Sequence, residues 1–458
     1  MSIATVNPAT GITEAEFTPH DAAETERRIA EADAAARALR LTDFATRGAW
    51  MRAAADILES ELDEVARMLT VEMGKPIAQS RGEVQKCAKN MRFYAERAEE
   101  FLADEPLGDP GSVGASSAWT RYEPLGVVLA VMPWNYPLWQ VIRFAAPALM
   151  AGNTGVLKHA SNVPQAANYL DTLFERGGFP LGSFRTLLIG SAAVADVIAD
   201  RRVKAVTLTG SEPAGRSVAS IAGSHIKKAV LELGGSDPFI VLASADVAKA
   251  AETAVTARVN NNGQSCIAGK RFIVHADVYD EFVSAFSERM AALVVGDPLD
   301  EATQVGPLAT SAGLNELAGL VDDAVTKGAT ARVGGSAVGG QGWYYRPTVL
   351  EGVTPSMRLY AEEAFGPVAT VYRVADADEA VALANSTTFG LSSSIWTNDQ
   401  AEEQRVTAAL DAGAVFVNGM TVSYPELPFG GIKDSGYGRE LAAAGIREFC
   451  NLKTVWKA

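Results

Sequence analysis

From residue 127 onward, short apolar runs of strand length alternate with helical stretches, and this alternation constrains the fold more than any other feature. The first block contains the runs Val127–Val131, Gly155–Lys158, Thr186–Ile189, Ala205–Thr209 and Lys228–Leu231. Strands that alternate with helices form parallel sheets with helices on both faces. The sequence therefore predicts an α/β fold.

The pattern repeats in a second block. Its strand-like runs are Phe239–Leu242, Phe272–Val274, Ala369–Val374, Ser393–Trp396 and Ala414–Val417. The chain has 458 residues, and a single hydrophobic core rarely grows beyond about 250–300 residues. We therefore predict two α/β domains with a boundary near residue 232.

The flanking segments have a different character. Residues 19 to 104 are predicted to be helical, with Thr18-Pro19 as a helix start and Gly74 and Pro76 as a helix stop. Residues 105–118 are rich in Gly, Ser and Pro, which indicates a loop. The glycine-rich segment Gly334–Gly342 is predicted to connect two strands.

Composition excludes several classes of function. A formal net charge of −15 disfavours nucleic acid and anionic membranes as partners, so an anionic substrate would need a local basic pocket. Three cysteines make no disulfide framework and fit a cytoplasmic protein. The four histidines are scattered, so no metal site is predicted. We find neither a signal peptide nor an apolar run that could span a membrane.

Two motifs near the domain boundary suggest covalent catalysis. Cys266 ends the small polar stretch Asn262–Cys266, and Glu232 lies in an apolar strand that runs into two glycines. A nucleophilic thiol and a partly desolvated carboxylate form a catalytic pair if the fold brings them together. Taken alone, a cysteine of this kind is more often a small buried hydrophobe, and a glutamate in a strand is more often a solvated or salt-bridged side chain.

A phosphate-binding helix is also suggested, although the chain contains no G-x-G-x-x-G. Gly210 and Ser211 follow the strand Ala205–Thr209 and could open a helix whose N-terminus holds a phosphate, with Gly215 allowing close approach. On local evidence this interpretation stays open.

Together the motifs resemble the aldehyde dehydrogenase superfamily from about residue 5 to residue 456. The matching segments are Asn7–Thr10, Pro133–Pro137, Lys158, Thr209–Ser211, Leu231–Gly235, Gly263–Cys266, Glu362–Pro367 and Pro428–Lys433. The resemblance implies two Rossmann-like α/β domains plus a small β oligomerisation element. It assigns residues 1–111 and 128–231 to nucleotide binding, 232–422 to catalysis, and 112–127 with 423–458 to oligomerisation.

The resemblance also implies a reaction. Cys266 would attack an aldehyde to give a thiohemiacetal, with the Asn135 amide and the Cys266 backbone N–H stabilising the oxyanion. Hydride transfer to a nicotinamide would leave a thioester, and Glu232 would activate water to release the acid. Relatives that acylate coenzyme A generally lack this glutamate, so its presence favours hydrolysis.

The implied cofactor is NADP, with NAD possible. Lys158 resembles the residue that binds the adenosine ribose, and Ser161 stands where NAD-preferring members often carry glutamate, so a 2′-phosphate has room. Glu363 resembles the residue that holds the nicotinamide ribose. The remaining implied cofactor contacts are Trp134, Asn135, Gly210, Ser211, Gly215, Leu233 and Phe365.

The implied substrate is a small aldehyde with a distal carboxylate. Arg143 and Ser423 match residues that bind this carboxylate in relatives acting on succinate semialdehyde, a step of 4-aminobutanoate degradation. Asn260 stands where many of these relatives have a second arginine, and Arg258 could compensate only if it faces the same way. An internal salt bridge is the alternative role for Arg143.

Other functions remain open at this stage. They are an NAD(P)-dependent dehydrogenase of other small aldehydes, a thiol esterase, and a non-catalytic binding or structural protein on the same fold. In the family, the tail around Lys453–Trp456 and the segment Trp119–Glu123 form an oligomerisation element, so a homodimer or homotetramer is expected.

Overall fold

The computed structural model describes residues 3–458. The helices are α1 (Ala22–Leu39), α2 (Phe44–Ser60), α3 (Leu62–Met73), α4 (Ile77–Phe101), α5 (Trp139–Ala151), α6 (Pro164–Arg176), α7 (Val194–Ala199), α8 (Glu212–Ser224), α9 (Val247–Val259), α10 (Tyr279–Ala291), α11 (Ser311–Thr326), α12 (Arg358–Ala361), α13 (Ala377–Asn385), α14 (Gln400–Ala409) and α15 (Ala442–Glu448). The strands are β1 (Ile3–Asn7), β2 (Ile12–Phe17), β3 (Glu105–Pro106), β4 (Ser117–Pro124), β5 (Val127–Met132), β6 (Thr154–His159), β7 (Phe184–Thr186), β8 (Val203–Thr209), β9 (Lys228–Glu232), β10 (Asp237–Val241), β11 (Gly269–His275), β12 (Thr330–Val333), β13 (Thr348–Glu351), β14 (Val368–Val374), β15 (Phe389–Gly390), β16 (Ser393–Trp396), β17 (Val415–Val417), β18 (Ile432–Lys433), β19 (Gly436–Tyr437) and β20 (Cys450–Lys457).

The first α/β unit is built on a six-stranded sheet in the order β19-β9-β8-β5-β6-β7. All neighbours are parallel except β19, which runs antiparallel to β9. Four of the five predicted runs match their strands closely. The third predicted run, Thr186–Ile189, overlaps its strand only at Thr186. Strand β7 ends there because the backbone of Leu188 bonds to His20 instead of to the sheet.

The second unit is built on a seven-stranded sheet in the order β12-β13-β14-β11-β10-β16-β17. Only β12 is antiparallel to its neighbour. The five predicted strands are all present, and the predicted connection Gly334–Gly342 lies between β12 and β13. The prediction of two α/β units is therefore confirmed.

The chain crosses from the first sheet to the second between β9 and β10. Strand β9 ends at Glu232 in the first sheet, and β10 begins at Asp237 in the second. The crossing is tightly packed, since a Cβ on Gly235 would lie 2.5 Å from the carbonyl oxygen of Cys266. This crossing sets Glu232 beside the segment that carries the cysteine.

Four helices, α1 to α4, form most of the segment that was predicted to be helical. The first begins at Ala22 and not at Pro19, because the Asp21 carboxylate caps it by accepting from the Glu24 N–H at 2.8 Å. Gly74 ends α3 in the left-handed conformation, as predicted. The 25-residue helix α4 packs against α5, and both border the site described below.

A third sheet of three antiparallel strands has the order β20-β4-β3. It contains the predicted tail strand, but the expected element 423–458 is too broad. Parts of that element belong to the first unit instead: β19 joins β9 of the first sheet, and Leu441 and Ile446 are buried in the hydrophobic core of that unit. Among residues 3–458, no helix is both long and apolar enough to cross a membrane.

Candidate active site

The loop before Cys266 has an unusual backbone that explains its asparagines. Asn261 and Asn262 have φ values of 57° and 58°, a left-handed conformation that asparagine tolerates better than most residues. The Asn262 side chain donates to the carbonyls of Gly74 and Pro307 at 2.8 and 2.9 Å. These bonds anchor the loop to neighbouring segments and so fix the position of Cys266.

Asn135 lies against this loop from the opposite side. Its Nδ2 donates to the backbone carbonyl of Gln264 at 3.1 Å, and its backbone carbonyl accepts from the Asn261 side-chain amide at 2.7 Å. A side-chain amide nitrogen carries two hydrogens. The second can therefore donate to an oxygen that develops charge next to Cys266.

The thiol of Cys266 is held in its neutral form. Burial raises its pKa to about 12, although Arg143 and Lys270 act in the opposite direction. The Lys270 ammonium donates to the carbonyls of Ser265 and Cys266 and pairs with Glu363 at 2.9 Å. A thiol with such a high pKa needs a proton acceptor before it becomes nucleophilic.

Glu232 is suited to accept protons. Its side chain is buried, and burial, followed by the charge of Glu440, raises its pKa well above the ordinary carboxylate value. Neither of its carboxylate oxygens has a hydrogen-bond partner among residues 3–458. It is also close enough to Cys266 to raise the pKa of the thiol. A desolvated carboxylate of this kind can act as a general base.

Two cavities meet at Cys266, which lines both together with Gln140. The larger has a volume of about 650 Å³ and the smaller of about 290 Å³. Seven of the residues predicted to bind the cofactor line the larger cavity: Trp134, Asn135, Gly210, Ser211, Leu233, Glu363 and Phe365. The Trp134 and Phe365 rings meet edge to face, with centroids 5.7 Å apart.

The larger cavity has features that fit a dinucleotide. Ser211 occupies the N-cap position of α8, and within the described residues its hydroxyl makes no capping bond, so it is available to a ligand. The N-terminus of a helix attracts phosphate through its free N–H groups and its dipole. The donors that a pyrophosphate needs are therefore present at this end of the cavity.

Three other predicted cofactor residues lie outside the lining of that cavity. Lys158 is near the carboxyl end of β6, in register with Val131 of β5. Burial lowers its pKa, and it forms no ion pair in the part of the chain that the structure describes. Ser161 follows in the next loop, where its carbonyl accepts from the Ala4 N–H. Gly215 lies under Leu233, whose Cδ2 would be 2.6 Å from an added Cβ.

The three predicted substrate residues, Arg143, Ser423 and Asn260, line the smaller cavity. Arg143 already has an anionic partner, because it pairs with Glu440 and lies over the Phe429 ring at 4.6 Å. The alternative role of Arg143, an internal salt bridge, is therefore the arrangement observed.

Arg258 does not compensate for the arginine missing at position 260. Its guanidinium is buried and donates to the carbonyls of Gly263 and Gly269 at 2.6 and 3.1 Å, away from the smaller cavity. The short connection after α9 turns Asn260, and not Arg258, toward the cavity.

Sequence reasoning missed Lys86, whose Nζ donates to Ser423 Oγ at 2.7 Å in the smaller cavity. The signal was a polar stripe on α4: Gln79, Glu83 and Lys86 recur at helical spacing and all border the cavity. In residues 3–458 no group of three or more His, Cys, Asp or Glu side chains could hold a metal ion.

Comparison with known proteins agrees with this geometry. An NADP(+) succinate-semialdehyde dehydrogenase from Mycobacterium avium is 63% identical over 457 residues, covering 100% of this chain and 97% of that protein. An NADP(+) succinate-semialdehyde dehydrogenase 1 from Mycobacterium tuberculosis is 61% identical over 458 residues, with 100% of both chains covered. The crystal structure of succinic semialdehyde dehydrogenase from Streptococcus pyogenes in complex with NADP+ superposes with a TM-score of 0.96 at 36% identity, covering 99% of each chain. Because the profile of the aldehyde dehydrogenase family matches residues 1–455, and whole-length relatives share its sequence and fold, the chain belongs to the aldehyde dehydrogenase family.

Proposed function

We propose that the protein oxidises succinate semialdehyde to succinate with reduction of NADP+, through a covalent intermediate on Cys266. The observation that carries the proposal is the position of this thiol at the junction of two cavities, within electrostatic range of the buried Glu232, whose carboxylate oxygens have no hydrogen-bond partner among residues 3–458. The curated relatives at 61–63% identity, which carry the name of this activity, support the choice of substrate and cofactor.

In the proposed reaction, Glu232 takes the proton of the Cys266 thiol, and the thiolate attacks the aldehyde carbon to form a thiohemiacetal anion. The Asn135 amide and the Cys266 backbone N–H donate to the oxygen as its charge develops. The larger cavity would hold NADP+, which would supply the acceptor for the hydride of this carbon. Once its first proton has passed to solvent, Glu232 takes a proton from a water molecule, which attacks the resulting thioester. The C–S bond breaks, Glu232 returns this proton to the leaving sulfur, and succinate is released.

We assign recognition of the 2′-phosphate to Lys158 and Ser161. A lysine without a carboxylate partner is free to pair with a phosphate, and a serine hydroxyl leaves room for it and can donate to it. Ser211 at the start of α8 would meet the pyrophosphate, and Glu363 the nicotinamide ribose. Gly215 acts indirectly, because it lets Leu233 reach the cavity.

These assignments give each of the two α/β units a separate role. We propose that the first unit (residues 1–111 and 128–231) binds the cofactor and that the second (residues 232–422) supplies the nucleophile.

The three-stranded sheet would join subunits into a homodimer or homotetramer, since its strand β20 exposes Leu452 and Trp456. Three free thiols fit a cytoplasmic enzyme.

The proposal is tested by following NADPH formation with a panel of aldehydes, using NADP+ and NAD+ in turn. We expect the highest kcat/KM with succinate semialdehyde and NADP+. The Cys266→Ser variant should retain cofactor binding and lose turnover, whereas Cys450→Ser, at a thiol of β20 that lines neither cavity, should remain active. Full turnover by Cys266→Ser, or equal efficiency with every aldehyde, would contradict the proposal.

A further inference from the structure

The smaller cavity is bordered by three cations that differ in how they are neutralised. Lys75 pairs with Glu83, and Arg143 pairs with Glu440. Lys86 is partly buried, and it forms no ion pair with any carboxylate in residues 3–458. When all three are protonated, this cavity therefore keeps an uncompensated positive charge at Lys86.

The ammonium of Lys86 is held in place by neutral groups. It lies 4.0 Å from the centroid of the Trp139 ring and donates to Ser423 Oγ at 2.7 Å. These contacts orient the charge without neutralising it. A partly desolvated ammonium of this kind gains stability when an anion binds beside it.

Ser423 has a complementary feature. Its Oγ accepts from both Lys86 Nζ and Trp139 Nε1, the latter at 3.1 Å, so both of its lone pairs are used. Within the described chain, no acceptor receives the hydrogen of this hydroxyl. A buried hydroxyl with its donor free and its acceptors filled is prepared for an acceptor-only ligand, such as a carboxylate.

We propose that Lys86, together with the Ser423 hydroxyl, binds the distal carboxylate of the substrate and so determines specificity for a carboxylated short-chain aldehyde. This inference rests on the proposed function, because it presumes that the aldehyde carries a carboxylate. Lys86 supplies the charge that Asn260 lacks, and Arg143 supports the site from its pair with Glu440.

The test compares succinate semialdehyde with pentanal, an uncharged aldehyde of similar length. Loss of a charge-assisted hydrogen bond, valued at about 1.5–3 kcal/mol, corresponds to about a 10- to 150-fold loss in kcat/KM. We expect Lys86→Met to show this loss with succinate semialdehyde, mostly through KM, and to change kcat/KM for pentanal by no more than about twofold. Succinate should also inhibit pentanal oxidation correspondingly less well.

Lys89→Met is the matched control, since Lys89 lies one turn further along α4, is exposed and pairs with Glu426. It should leave both substrates unaffected. Turnover of pentanal reports that a variant has folded, and Lys86→Arg, which keeps the charge, should retain much of the preference. An unchanged preference in Lys86→Met would overturn the inference and leave the proposed function intact. A wild-type enzyme without any preference would overturn the proposed substrate and the inference with it.

Discussion

Arg143 and Glu440 form a buried ion pair on the wall of the smaller cavity, with side chains only 2% and 4% exposed. The pair joins α5 to the segment just before α15, about 300 residues apart along the chain. Burial raises the pKa of Glu440, and Arg143 opposes that shift. Because Glu440 also raises the pKa of Glu232, the pair links the wall of the smaller cavity to the proposed general base.

Replacing Arg143 is therefore expected to lower the free energy of unfolding, and this loss would mask an effect on substrate specificity. Arg143→Met leaves a buried carboxylate without a partner, a change that typically costs about 3–5 kcal/mol. The double variant Arg143→Met/Glu440→Gln removes both charges and should recover most of this loss. Urea unfolding midpoints of the three proteins measure the effect. Equal midpoints for the single and double variants would contradict it.

Replacing Glu232 should affect the pH dependence as well as the rate. A protonated carboxylate cannot accept a proton, so wild-type kcat should rise with pH, with a midpoint well above the ordinary carboxylate value because burial raises the pKa of Glu232. Glu232→Gln should lower kcat by about 10²–10⁴-fold and remove this rise.

Steady-state pH profiles of the wild type and the variant provide the measurement. Glu64→Gln, at an exposed carboxylate on α3, serves as the control and should retain the wild-type profile. If the rise persists in Glu232→Gln, another group is the base.

Ser161 is expected to set the preference between the two cofactors. Ser161→Glu places a carboxylate where the 2′-phosphate is proposed to lie, so like charges should lower kcat/KM for NADP+ by at least about tenfold. The NAD+ reaction should be unchanged or improved. Ser161→Ala, which removes the donor without adding charge, separates loss of a hydrogen bond from repulsion. An unaltered NADP+ to NAD+ ratio in Ser161→Glu would place the 2′-phosphate elsewhere.

What the sequence could predict was carried by contiguous motifs. The strands and the boundary near residue 232 were predicted from the alternation of strand-like and helical stretches. The assignments of Cys266 and Asn135 to one site rested on motifs that resemble those of the family. The pairing of Ser423 with Lys86 joins residues 337 positions apart, and no local pattern encodes it. The same is true of Glu440, whose charge had no apparent partner in the sequence. Thus the residues proposed for catalysis could be named from the sequence, whereas the partners of the buried charges became apparent only from the fold.

The protonation of Lys86 gives a final prediction, which the wild-type enzyme alone can test. Burial, followed by the charge of Arg143, lowers the pKa of Lys86 to about 7 in the free enzyme; Lys75 acts in the same direction, whereas Cys87 and Glu83 act to raise it. The substrate carboxylate stays ionised throughout this range. As pH rises through about 7, Lys86 loses its charge in the free enzyme, so kcat/KM for succinate semialdehyde should fall relative to that for pentanal.

The ratio of the two kcat/KM values, measured from about pH 6 to about pH 9, isolates this effect, because ionisation of Cys266 and Glu232 influences both substrates alike. An arginine remains protonated over the whole range. Lys86→Arg should therefore give a ratio that is independent of pH. A wild-type ratio that stays constant, or a fall that persists unchanged in Lys86→Arg, would show that the carboxylate is bound by a different group. In that case Arg143 would become the principal candidate, since it lines the smaller cavity, and its pairing with Glu440 would have to be shared with the substrate.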